Sequence, residues 1–226
     1  ARTLLPLILP TYSKLYPSVE VHTVITDNQT LQEKLLRREL DLIICNNPPA
    51  VQNTNSILLL RDRFCVIVPL ALMRTRYPDT WEAACSAYQN GHPFDADFFQ
   101  DIPVLLSVGT HVRMVTDRFF QQIGVQPKIL METNDMETLF SLCERDMGIT
   151  FSYENYAQKI LPLEYNHTHS SDGALIFPVN DESLCGSIEI IYRNDCYLSR
   201  AAKQFIDIAQ SEVAATILQV PSQCYH

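Results

Sequence analysis

The sequence predicts an α/β protein of two Rossmann-like lobes with a central cleft, because one strand–helix–strand layout is written in it twice. Val19-Glu20-Val21-His22-Thr23-Val24-Ile25 alternates and is β-branched like a strand, and residues 30–36 have helical spacing. Leu40-Asp41-Leu42-Ile43-Ile44-Cys45 is then an apolar run of the kind that forms a strand buried on both faces of a parallel sheet. Together they make a βαβ unit. The second half repeats it with Lys128-Ile129-Leu130-Met131, a Thr133-Asn134-Asp135 turn, a helix over 136–145 and Gly148-Ile149-Thr150-Phe151. Thr26-Asp27-Asn28 corresponds to Thr133-Asn134-Asp135, and Arg38-Glu39-Leu40 to Arg145-Asp146-Met147. The competing architecture is one six-stranded α/β domain without a cleft.

The remaining elements follow in order. Leu4, Leu5, Ile8, Leu9, Tyr12 and Leu15 have helical spacing, but Pro6 and Pro10 move the start of a regular helix towards Pro10 or distort it there. Thr30 and Glu33 read as a capping box, with Leu31, Leu35 and Leu36 on one face and Glu33 paired to Arg37 on the other. After the loop Asn46-Asn47-Pro48-Pro49, residues 57–69 hold two strands joined through Arg61-Asp62-Arg63. Residues 77–100 contain a short helix around 81–88 and have no assigned role. Residues 102–107 form a strand, Val108-Gly109-Thr110-His111 a turn, and 114–123 a helix that Gly124 ends. Residues 188–192 are a strand, and Ser199 caps a helix packing through Ala202, Phe205, Ile206, Ala209 and Val213. On this reading one lobe comprises residues 1–68 and 191–226, and the other 69–190.

With 226 residues and 46% hydrophobic content, the chain can bury one large core or two modest ones. Its 17 Lys and Arg face 26 Asp and Glu, for a net charge of -9 without a basic cluster, so this stretch repels a phosphate backbone and binds no DNA by itself. No apolar run approaches the roughly 18 residues of a membrane span, and no signal-peptide pattern opens the sequence. The seven cysteines are odd in number and never spaced Cys-x-x-Cys, and Cys45, Cys65 and Cys143 sit in apolar patterns, which points to a reducing, cytoplasmic compartment. Cys185 and Cys196 flank a strand, but neither has the electropositive setting of a redox switch.

Ligands of open parallel sheets gather beyond the carboxyl ends of strands, where helix N–H groups attract anions. Here those places are Thr26, Asp27 and Asn28; Thr133, Asn134 and Asp135; and the turn from Ser107 to His111. Hydroxyl and amide side chains meeting there suit a small carboxylate-bearing metabolite, although Thr, Asn and Asp before a helix are also ordinary caps. His111 and Arg113 either neutralise an anionic ligand or are simply solvated. His167, His169 and Asp172 lack metal-ligand spacing. With six glycines and no Gly-x-Ser-x-Gly, Gly-x-Gly-x-x-Gly or Gly-Lys-Ser/Thr loop, no catalytic residue, metal or cofactor is expected. Asp27 and Asp135 would make an acid–base pair only if capping did not already explain both.

Leu4-Leu5-Pro6, Tyr16-Pro17-Ser18-Val19, Glu39-Leu40-Asp41-Leu42-Ile43-Ile44 and Leu60 through Pro69 resemble, in order and spacing, the effector-binding domain of LysR-type transcriptional regulators. Ile102-Pro103-Val104-Leu105, Phe119 through Gly124, Met147-Gly148-Ile149 and Leu198-Ser199 continue the resemblance. It implies a type 2 periplasmic-binding-protein-like fold that senses a small anionic metabolite between the lobes. The contacts implied are Thr26, Asp27, Asn28, Ser107, Gly109, Thr110, His111, Thr133, Asn134 and Ile149, with further contacts from a strand and a short Ser- or Thr-bearing loop that precede the opening helix in the family and lie upstream of this chain. It also implies an N-terminal winged helix-turn-helix outside this chain, through which alone DNA is bound, and a homodimer or homotetramer joined at Tyr12, Leu15 and Phe119. Arg38 and Asp146 depart from the family, which usually has glycine there; a left-handed backbone at those positions costs a side chain about 1 kcal/mol. Two rival readings remain, a solute receptor of a transporter, which the cysteine usage opposes, and an enzyme on the same scaffold.

Overall fold

The computed structural model describes residues 4–90, 96–160 and 174–219, and the chain divides into two units, Ala1–Arg61 with Gly186–His226 and Asp62–Cys185. In the first unit, α1 (Leu5–Leu15) places Pro6 in its opening turn, where the missing N–H has no partner to lose. Pro10 lies inside the same helix, so the helix runs through the second proline instead of starting at it. Burial of Leu4, Ile8 and Tyr12 against Phe205 and Ile206 of α8 (Arg200–Gln219) outweighs the lost hydrogen bond. Ser199 caps α8 as expected, its Oγ accepting the Ala202 N–H at 3.1 Å.

Two strand expectations change here. β1 (Leu42–Asn46) pairs antiparallel with β8 (Gly186–Arg193), Leu42 opposite Tyr192, and β8 lies between β1 and β2 (Thr54–Asp62). That partner is the strand on which the chain returns, and the parallel neighbour that a βαβ unit requires is not formed among the described residues. Residues 19–25 form no strand: they have no ladder partner among the described residues, and Val21, Val24 and Ile25 are exposed. Alternation records which side chains are apolar, whereas a strand also requires a neighbouring edge.

In the second unit, β3 (Phe64–Pro69) is buried at every position between antiparallel β6 (Thr150–Tyr153) and β7 (Ala174–Pro178). β4 (Pro103–Ser107) and β5 (Lys128–Thr133) are parallel, and α6 (Met136–Cys143) follows β5. The Leu105 N–H donates to the Ile149 carbonyl at 2.8 Å, and the Ile149 N–H to the Pro103 carbonyl at 2.9 Å, tying the approach to β6 onto β4. Gly148 permits this contact, since a Cβ there would stand 2.4 Å from the Pro103 oxygen. Phe64 stacks on Phe151 at 5.6 Å, and Phe99, Phe119 and Phe120 pack around them.

The stretch without a role in the sequence helps close this core. Its helix, part of α4 (Pro78–Gln89), sets Trp81 edge-on to Phe177 of β7, and the turn Ala96–Phe99 buries Phe98 and Phe99. α3 (Leu70–Arg76) precedes it, and α5 (His111–Ile123) ends at Gly124 with φ of 70°. Buried Asp62 accepts the Asn155 N–H in the first turn of α7 (Glu154–Ile160), beside a two-pronged Arg63–Glu154 ion pair. The units part at 61/62 and 185/186 instead of 68/69 and 190/191, because β3 pairs wholly within the second unit and β8 wholly within the first.

Tyr12 and Phe119, expected at an oligomer interface, are core residues. Tyr12 donates its hydroxyl to the Ala201 carbonyl and packs edge-on to Phe205, and Phe119 lies in the aromatic cluster of the second unit. Leu15, 58% exposed, is the one of the three that reaches the surface.

Arg38 and Asp146 both adopt the left-handed backbone, with φ of 65° and 62°. Asp146 has compensation in a hydrogen bond, its carboxylate accepting the Leu72 N–H of α3 at 3.0 Å. Arg38→Gly is therefore expected to raise unfolding stability by up to about 1 kcal/mol in urea titration, while Asp146→Gly gives no gain. Equal gains would show that the Asp146 cap contributes nothing.

Candidate functional site

β4 and β5 run parallel and end level, with Ser107 opposite Thr133 and the Val108 N–H donating to the Thr133 carbonyl at 2.9 Å. α5 and α6 start just beyond, so two helix N-termini stand over adjacent strand ends. Ser107 is buried, and its Oγ lies 2.7 Å from Thr110 Oγ1, which accepts the Arg113 N–H at 3.1 Å as the cap of α5. Two hydroxyls carry two protons, and their mutual bond uses one. The other has no protein acceptor among the described residues and is available to a ligand oxygen. Thr133 Oγ1 accepts the Asp135 N–H at 3.2 Å and likewise keeps its proton. Asn134 is exposed, and Gly109 (φ 68°) leaves open space where a side chain would stand. The structure thus gathers Ser107, Gly109, Thr110, Thr133 and Asn134 on one platform of neutral donors.

The charged residues expected there do not act as free cations. Arg113 Nε donates to both Asp117 oxygens at 2.8 and 3.0 Å, and Nη1 donates to Glu132, so two carboxylates answer its charge. His111 Nδ1 is 3.0 Å from the Tyr153 hydroxyl, and the two rings lie nearly parallel. Partial burial, with the charge of Arg118 adding to it, pushes the His111 pKa below the ordinary histidine value and favours the neutral ring. Sequence reasoning missed Tyr153, Asp117 and Glu132, and of these only Asp117, four residues after Arg113 on one helix, left a local signal. Ile149 is fully buried and bridges Val104, so it packs the core and lines no open surface.

In the first unit, α2 (Asn28–Leu36) is capped by Asp27 and not by Thr30. Asp27 accepts both the N–H and the hydroxyl of Thr30, at 2.9 and 2.7 Å, because Thr30 lies a full turn inside the helix. Those bonds hold the Asp27 pKa at about 2. Asn28 Nδ2 donates to the Asn46 carbonyl at 2.8 Å, pinning the helix start to the end of β1, and Thr26 donates to Asp27. All three side chains do structural work. Asp135 bonds the Thr138 hydroxyl at 2.5 Å and is likewise held ionised, so neither aspartate is set up as a general acid. His167, His169 and Asp172 lie outside the described residues. Among the described residues there is no metal-ligand cluster, and no helix is long and apolar enough to cross a membrane.

The Asp27 bonds carry a pH signature. Its folded pKa is below the ordinary carboxylate value, so the unfolded chain binds more protons; the stabilisation is complete above about pH 4 and is lost as pH falls towards 2. Melting curves of Asp27→Asn and the parent chain are expected to differ at pH 7 and to converge near pH 2. A constant gap would contradict the cap.

The family model described as LysR substrate binding domain matches residues 1–214. The HTH-type transcriptional regulator YusT of Bacillus subtilis is 22% identical over 214 residues, covering 90% of this chain and 59% of that protein. The chain spans less than two thirds of the length of the curated relatives it matches. Among solved structures, the effector binding domain of BenM with its effector benzoate is similar at TM-score 0.71 and 17% identity, with 99% of this chain and 91% of that one covered. The regulatory domain of CcmR from Synechocystis PCC6803, in complex with 2-PG, is similar at TM-score 0.69 and 16% identity, with 93% and 91% covered. These likenesses give the fold as type 2 periplasmic-binding-protein-like.

Proposed function

The chain belongs to the LysR substrate-binding-domain family, and from that premise we propose that it is the effector-sensing part of a transcriptional regulator, with Ser107, Thr110, Thr133 and Asn134 holding a small metabolite at the strand ends. The observation that carries this is the level ending of β4 and β5 beside two hydroxyl protons that have no protein acceptor among the described residues, one at the start of α5 and one at the start of α6. Such a platform takes a ligand rich in acceptor oxygens, such as a carboxylate. Benzoate in BenM fits that class. Since Arg113 is already paired, hydrogen-bond donors and helix N-termini supply the selectivity, and an excess of cations does not.

DNA contact falls to the part of the regulator outside this chain, because a net charge of -9 opposes it here. The protein would act in the cytoplasm as a homodimer or homotetramer and would carry out no catalysis. The curated relatives are regulators, which does not favour a transport receptor.

A thermal-shift screen of small carboxylates against this chain, followed by calorimetry on the best binder, tests the site. Thr133→Val is expected to weaken binding by roughly tenfold, the value of one hydrogen bond to a charged group, with little change in melting temperature. The effector found should also shift the half-point of promoter DNA binding by the full-length regulator. Unchanged affinity in Thr133→Val removes the platform from the site, and turnover of the ligand overturns the sensing role.

A further inference from the structure

A third strand end adjoins the platform, and it brings together two side chains that share a proton. Val104 of β4 bridges Ile149 in parallel, so β6 runs beside β4 in the same direction and its last residue, Tyr153, reaches the same edge as Ser107. Thr133, Ser107 and Tyr153 thus close three neighbouring strands. The Tyr153 ring is 8% exposed and stands edge-on to Phe64 at 6.2 Å. Its hydroxyl end meets His111 Nδ1 at 3.0 Å, where α5 begins.

The charges around this pair are mostly spent. Arg113 is paired with Asp117 and Glu132, and Glu154, the residue after Tyr153, is paired with Arg63. Arg118 is the cation that acts on His111, and together with partial burial it favours the neutral ring. A carboxylate moved from water onto neutral donors alone loses solvation, and the net charge of -9 adds to that cost. Histidine is the side chain that becomes a cation near neutral pH, so His111 supplies a charge when an anion is there to meet it. The proton count then involves Tyr153. While His111 is neutral, one proton lies between Nδ1 and the phenol oxygen. Once the ring is charged, Nδ1 carries its own N–H and donates it to that oxygen. A phenol that keeps its proton must then turn its O–H to another acceptor, and a ligand oxygen is one.

We infer that Tyr153 and His111 are a further ligand contact at the third strand end: as a carboxylate settles there, His111 takes one proton from solvent, donates Nδ1–H to the Tyr153 oxygen, and Tyr153 turns its O–H to the ligand. This rests on the strand ends being the ligand site, and it deepens that reading by making anion binding and proton binding one event. No covalent bond changes except at the histidine nitrogen that gains the proton. Tyr153 contacts the ligand, and His111 acts through it. The site is neutral when empty and cationic when occupied, so it does not hold a standing positive charge for unrelated anions.

Carbon-13 NMR of the histidine rings tests this, with formate as the carboxylate probe and chloride as the control. The His111 signal, assigned by its loss in His111→Gln, is titrated between about pH 5 and 8 in about 0.2 M of either sodium salt, so that screening is equal. Formate should raise the His111 midpoint by about half a pH unit or more, a roughly threefold gain in proton affinity. By reciprocity, the formate affinity read from the Val108 and Asn134 amides should rise by the same factor as the ring becomes charged. Tyr153→Phe keeps the ring in the core, loses the hydroxyl and should remove most of the rise. His111→Gln, at the surface, should leave a formate affinity that no longer changes with pH over this range. Equal midpoints in the two salts, while formate still shifts the platform amides, overturn the inference and leave the platform as the site. Formate that moves neither amides nor midpoint overturns both. An undiminished rise in Tyr153→Phe, or a pH-dependent formate affinity that survives in His111→Gln, overturns the inference as well.

Discussion

The parallel pairing of β4 with β5 is the constraint on which the candidate site rests. Because the two strands run the same way and stop together, Ser107 and Thr133 end as neighbours, and each strand feeds a helix whose first N–H groups face outward. The pairing depends on a close approach elsewhere. Ile149 is bound through both backbone groups to β4, and only glycine at 148 leaves room for the Pro103 carbonyl. The buried ring cluster of Phe64, Phe151 and Phe99 then fixes the layer behind the strand ends, so the hydroxyls stand on a rigid base.

The electrostatics of that base are unusual for a site expected to receive an anion. Of the two basic groups in the first turn of α5, Arg113 is paired with Asp117 and Glu132, and His111 is partly buried against Tyr153, which favours its neutral form. One charge is therefore answered and the other disfavoured before a ligand arrives, and the groups left open are O–H donors, an amide and backbone N–H. Neutral donors in fixed positions reward the shape of an acceptor more than its charge.

Much of the fold was legible because local chemistry decides it. Gly124 ending α5, Ser199 capping α8 and the Arg61-Asp62-Arg63 passage between β2 and β3 each depend on a few adjacent residues. The platform residues were legible for the same reason, since helix starts after strands have a recognisable composition. Contacts between distant residues were not. Nothing near Tyr12 or Phe119 says that Phe205 or Phe151 will cover it, and nothing near Arg113 says that Glu132 will answer it. The antiparallel pairing of β1 was not legible, because an apolar run records burial on both faces and not the direction of the neighbouring strand, which the return of β8 supplies.

The most direct test of the sensing site is to map amide NMR shifts of this chain while titrating in the carboxylate that stabilises it most. The account predicts that the largest changes fall on Val108 through His111 and on Asn134, beside Ser107 and Thr133. Changes confined to surfaces away from the ends of β4 and β5 would contradict it.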